Sequence, residues 1–111
     1  MMDNLKELFN KEMTNGFLVI ENFVIKFNSD GSREDFLCDL DNVLHKIQGM
    51  LLQAGLMDSG ATIQKQKTIF KKMFMDKTEV DKKAIKILEE DIELVKKACV
   101  EFVESKKELI I

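Results

Sequence analysis

Residues 32–57 read SREDFLCDLDNVLHKIQGMLLQAGLM, and this stretch sets the class of fold. At about 100° per residue, Phe36, Leu40, Val43, Ile47, Leu51 and Ala54 fall within about 60° of one line. That is the stripe of a helix packed on one side, without the period of two that a half-buried strand requires. Ser32, with Asp35 three residues on in place of the preferred glutamate, reads as a capping box. The helix is therefore predicted to start after Ser32 and to run to about Met57. On the same wheel His45, the single histidine of the chain, lands about 180° from Phe36 and faces away from the core.

Working outward, the same periodicity recurs three times. Before the quoted stretch, Leu5, Phe9, Met13, Phe17, Ile20, Phe23, Val24 and Phe27 share one side of a helix expected over about residues 3–28. Gly16 sits on that side, where it permits a close helix crossing or a slight break. The turn NSDGS at 28–32 joins the two helices through side chains that bond to the local backbone. After the stretch, DSG at 58–60 is a stop, with Asp58 or Ser59 able to cap a third helix over about 60–75. That helix is apolar at Ile63, Phe70, Met73 and Phe74 and lysine-rich outside. Thr78 and Asp81 read as a further capping box for a fourth helix over about 79–107. Its apolar positions are Val80, Ala84, Leu88, Val95, Ala98, Cys99 and Phe102. Four amphipathic helices on short links predict an all-α, antiparallel up-down four-helix bundle, one domain over residues 1–111.

The composition agrees. The chain has 111 residues, no proline and five glycines, so it can form one core and lacks the punctuation of an all-β domain. Seventeen basic and 20 acidic residues are interspersed, and no basic patch supports binding to nucleic acid. No apolar run approaches the roughly 20 residues that span a bilayer, and the amphipathic start MMDNLKELFNKEM is unlike a signal peptide. Cys38 and Cys99 have no metal-type spacing and point to a reducing, cytoplasmic setting. One histidine and scattered carboxylates make no ligand set, so neither metal nor cofactor is expected. A glycine-rich phosphate loop is also missing, and with it an ATP site.

His45 therefore carries whatever chemistry there is. Its plainest reading is an inert surface histidine. Against that, Gly49 follows one turn later on the same outward face, and a mid-helix glycine costs about 1 kcal/mol relative to alanine. It makes room for something large beside the imidazole. Leu52, a further turn along, is apolar and also points outward. Leu18 and Ile25 lie opposite the core stripe of the first helix. If the first two helices are neighbours, these three make an apolar rim beside His45, a docking surface. Burial of Leu18 and Ile25 against another helix or another subunit is the competing reading.

The segment HKIQGMLLQAGL (45–56) resembles the phosphorylation-site signature of histidine-containing phosphotransfer (HPt) domains, roughly H-x-[LI]-K-G-x-x-x-x-[LIAV]-G. His45, Ile47, Gly49, Ala54 and Gly55 match it in register. The resemblance implies a four-helix bundle of this length with the reactive histidine midway along the second helix. It also implies a phosphorelay intermediate: His45 accepts a phosphoryl group from a receiver-domain aspartate or a sensor histidine kinase and passes it to another response-regulator receiver. The carrier is then not an enzyme in its own right, and Mg²⁺ is expected in the receiver rather than here. Neutral imidazole is a nucleophile near pH 7, its ordinary pKa being about 6.5.

This chain departs from the pattern at two places. Gln48 stands where the family has lysine; it can hold a phosphoryl oxygen by a hydrogen bond but brings no charge. Lys46 is cationic but points about 100° away, an imperfect substitute. Met50, Leu51 and Leu52 replace the small residues usual after the glycine. Asp41, one turn before His45, either orients the ring or is a solvated carboxylate. Leu18, Ile25, Asp41, Asn42 and Leu52 are the expected partner-facing set, on a monomer. Lys65, Lys67, Lys71 and Lys72 read as a solvated face or as an attraction for an acidic receiver surface. The rival functions are an interaction module with an inert His45, binding a receiver or kinase as a decoy, and a helical oligomerisation domain.

Overall fold

Proline-free segments with an apolar residue every third or fourth position bury that face by closing into helices. The computed structural model describes residues 3–29 and 31–105. They form α1 (Asp3–Ser29), α2 (Arg33–Gln53), α3 (Met57–Asp76) and α4 (Lys82–Glu104). Asp30 of the first turn and residues 106–107 of the expected end of α4 lie outside the described residues. The helices pack in a ring, α1 on α2, α2 on α3, α3 on α4 and α4 on α1, and the fold is a four-helix bundle of 46 × 23 × 19 Å.

Cross-links between helices show that each neighbour runs antiparallel to the last. At the start of α2, Arg33 donates to the carbonyls of Met73 (2.5 Å) and Thr78 (2.7 Å) at the end of α3. At the other end of that pair, Leu52 lies over Gly60, where a Cβ would come within 2.7 Å of its Cδ2. Phe27 stacks on Phe36 with ring centroids 4.6 Å apart, closing the α1–α2 hairpin. Farther along, Gly16 keeps its packing role: a Cβ there would meet the Ile47 side chain at 3.0 Å, and α1 crosses unbroken. At the open ends, Lys6 of α1 is buried against α4. Its ammonium donates to the Ser105 carbonyl at 2.6 Å and stands 5.2 Å above the Phe102 ring. The apolar reading of the first helix missed this lysine, whereas Leu5, counted in the stripe, is exposed.

Two boundaries differ from expectation. α2 ends at Gln53 instead of about Met57, because Gly55 adopts φ +79°. In that left-handed conformation the Leu56 amide reaches back to the Leu51 carbonyl (2.9 Å) and the Gly55 amide to Leu52 (3.0 Å), the paired bonds of a Schellman end. α3 therefore begins at Met57, capped by neither Asp58 nor Ser59; its N-cap position, Leu56, makes no side-chain cap bond. Likewise α4 begins at Lys82. Asp81, not Thr78, is its N-cap and accepts from the Ala84 amide at 2.7 Å. Thr78 belongs to the end of α3, where its amide bonds Met73 while Lys77 takes φ 58°. Ser32 caps α2 as read, accepting from the Asp35 amide at 3.3 Å.

The buried face of α2 is also turned. Phe36, Leu37, Leu40, Leu44, Ile47 and Leu51 are buried, whereas Val43 and Ala54 only pack at the edge. The centre of burial lies about 50° from Phe36 on the wheel, toward α3. The reason is that α2 has two neighbours, and the stripe must serve both.

Candidate functional site

That turn decides the setting of His45. Measured from the true centre of burial it lies about 130° round the helix, on the flank nearest α3, and not straight out into solvent. The side chain is exposed, as expected. Beside it runs an open cleft of about 310 Å³ between α2 and α3, lined by Asp41, His45, Gln64, Lys67, Thr68 and Lys71.

Polar side chains connect across this cleft. The Lys67 ammonium stands 3.1 Å from Nδ1 of His45 and 3.4 Å from Oε1 of Gln48. Gln48 in turn donates from Nε2 to Oε1 of Gln64 at 2.8 Å. Gln64 donates to Thr68 Oγ1 at 3.2 Å, and that hydroxyl donates back to the Gln64 carbonyl. Both ends of the Gln48 amide are thus committed to α3, and one of them holds Lys67. An ammonium has no acceptor capacity, so this contact is a hydrogen bond in the tautomer whose Nδ1 carries no proton.

The other predicted residues are spread around the bundle. Gly49 is exposed, and a Cβ built on it meets nothing within 4 Å, so the helix surface beside His45 is bare. Asp41 lines the His45 cleft. Lys46 does not; its ammonium is 3.5 Å from Glu12 of α1, and with Asn42 it lines the groove between α1 and α2. Leu52 is on the α3 side, 42% exposed and draped over Gly60. Leu18 lies across the bundle. It lines a groove of about 340 Å³ between α1 and α4 with Phe17, Lys96, Cys99 and Val100. Ile25, two turns on, is exposed. The apolar rim of Leu18, Ile25 and Leu52 beside His45 does not form, because α1 borders α2 on the side opposite the cleft.

In the α1–α4 groove Lys96 bonds Glu21 at 3.0 Å and Glu93 at 3.2 Å. The Glu21 carboxylate holds its pKa above the ordinary lysine value, against the opposing effect of burial. Burial alone pushes the Cys99 thiol up to about 11, so this cysteine is no nucleophile near neutrality.

The residue that sequence reasoning undervalued is Lys67. In the sequence it is one of four α3 lysines that read as a solvated face or as an attraction for an acidic receiver surface. A signal existed in its spacing, since Gln64, Lys67, Thr68 and Lys71 form one polar strip at helical intervals. Nothing in the strip says that it faces α2. Among the described residues no group of three His, Cys, Asp or Glu gathers as a metal site, and no helix is long and apolar enough to cross a membrane.

Comparison with known proteins returned no matching family model, no matching curated protein and no matching solved structure.

Proposed function

We propose that this chain is a phosphorelay carrier of the HPt kind, with His45 as phosphoacceptor. The observation that carries the reading is an exposed imidazole midway along α2, with bare helix at Gly49 on one side and the Lys67 ammonium 3.1 Å from Nδ1 on the other. Phosphoryl transfer is governed by in-line positioning and charge neutralisation more than by covalent machinery. A rigid helix supplies the first and a cation the second. The donor is the aspartyl phosphate of a response-regulator receiver or a sensor kinase, and the acceptor is another receiver. The receiver brings Mg²⁺. The carrier works as a monomer in the cytoplasm and needs no ATP site of its own.

One observation favours a second reading, a helical interaction module. Leu18, Leu94 and Val100 leave apolar surface exposed on α1 and α4, away from the histidine. In that case the bundle binds partners and His45 relays nothing.

The deciding experiment incubates the protein with a panel of phosphorylated receiver domains. Expected is an acid-labile phosphohistidine on the wild type, absent from His45→Gln. Receivers that bind without transferring label decide for the interaction module.

A further inference from the structure

We infer that Lys67, carried by α3, is the cation of the phosphoryl site, reaching it across the α2–α3 cleft, with Gln48 as the residue that positions it. The inference rests on the phosphorelay reading for its biological donor, but its geometry stands apart from that. α2 has two cations, and neither serves His45. Arg33 brackets the end of α3, bonded to Met73, Thr78 and Glu34. Lys46 pairs with Glu12 on the far flank. The charge must come from α3, and Lys67 is the side chain that arrives, 3.1 Å from the ring and steadied by the Gln48 carbonyl oxygen. Gln48 is anchored in turn by Gln64. A neutral amide at position 48 thus has a purpose: it accepts from the lysine that a cation there would repel.

The contact fits the phosphorylated ring. In the transfer, a bond forms between Nε2 and phosphorus. The bond from phosphorus to the donor's aspartate oxygen breaks, its electron pair leaving on the carboxylate. The neutral ring reacts as its Nδ1–H tautomer, with the Nε2 lone pair free and Lys67 turned to the phosphoryl oxygens, and the Nδ1 proton then passes to water. The product ring has a bare Nδ1, and a bare Nδ1 is what Lys67 contacts. Cleavage of the N–P bond goes fastest when Nδ1 is protonated, because neutral imidazole then leaves. An ammonium bonded to Nδ1 opposes that protonation. Lys67 thereby both attracts the incoming phosphoryl group and lengthens the life of the phosphohistidine. The other charged groups lining this cleft are Asp41 of α2 and Lys71 of α3; α1 and α4 contribute none to its walls.

The test uses potassium phosphoramidate, a small donor that phosphorylates histidine without a receiver, alongside the receiver panel. Charging rate and first-order decay of phosphohistidine are followed from about pH 5 to about pH 8, bracketing imidazole titration. The variants are Lys67→Met, Lys67→Arg, Lys71→Met and Lys67→Met combined with Gln48→Lys. Loss of one charge-assisted bond predicts charging about tenfold to a hundredfold slower in Lys67→Met. Its decay is faster. Lys67→Arg stays near wild type, and Lys71→Met, whose ammonium lines the cleft without touching the ring, loses less than Lys67→Met. The double variant, with a cation restored from α2, regains most of the charging rate, which a purely structural role for Lys67 does not allow. Lys67→Met that charges and decays like wild type overturns the inference, even if receivers still label His45. If phosphoramidate reveals the Lys67 dependence while no receiver transfers label, the inference holds and the relay reading fails. A wild type that accepts label from neither source overturns both.

Discussion

Gly49 gives the clearest separation of stability from function at the level of single residues. Its φ is helical and no atom outside its own helix backbone lies where a Cβ would go. Gly49→Ala is therefore expected to stabilise the fold by about 0.5–1 kcal/mol, read as a higher urea midpoint. Receiver-dependent transfer in the same variant should fall by about tenfold or more, since a methyl beside the imidazole displaces an in-line approach. Unchanged transfer would mean that the glycine leaves no room anything uses. His45 and Gly49 were legible in the sequence because exposure and a helical misfit are properties of one helix. Lys67 and Gln48 form a pair only across two helices, and no wheel displays such a pair. Position 48 carries no charge, and the ammonium that stands beside His45 comes from α3.

At the level of the helices, the ends carry the information. Ser32 was readable as a cap because its role needs only its own side chain and an amide three residues on. The end of α2 was not. Leu51, Leu52, Ala54, Leu56 and Met57 continue an apolar pattern past Gly55, and a wheel sees no reason to stop. The left-handed turn is stabilised because it lets α3 double back on α2, a long-range gain. The link between α3 and α4 shows the same device with a less suitable residue. Lys77 holds φ 58°, a conformation that strains any side chain with a Cβ. Lys77→Gly should raise stability by about 0.5–1 kcal/mol, the relief of strain exceeding the added chain entropy of glycine. Asp81→Ala, four residues on, should lower it by about 1 kcal/mol through loss of the cap on the Ala84 amide. Urea denaturation of the two variants measures both, and the opposite signs distinguish end geometry from a general sensitivity of this loop.

For the whole molecule, one polar contact inside the bundle stands out. Gln66 on α3 is fully buried and donates to Asp91 of α4 at 2.6 Å, while its Oε1 has no hydrogen-bond partner among the described residues. Asp91→Ala would leave the whole amide unsatisfied and is expected to cost about 1–3 kcal/mol. Gln66→Met removes the demand and fills similar volume, so it should be neutral or stabilising, with Asp91 turning to water. Equal losses in both variants would show that the pair contributes net stability. Four helices and the exposure of His45 follow from local chemistry: periodicity, capping and the absence of proline act within one segment. Which flank of each helix meets which neighbour does not. Four amphipathic helices close into a ring of either hand, and the two hands bring opposite flanks of α3 against α2. The packing adopted here sets Gln64, Lys67 and Lys71 along the His45 cleft and puts Leu18 against α4. The exposed histidine was thus written in one helix, whereas the ammonium beside it was assigned by how the bundle closes, because charge acts over the few ångströms that only packing between helices can set.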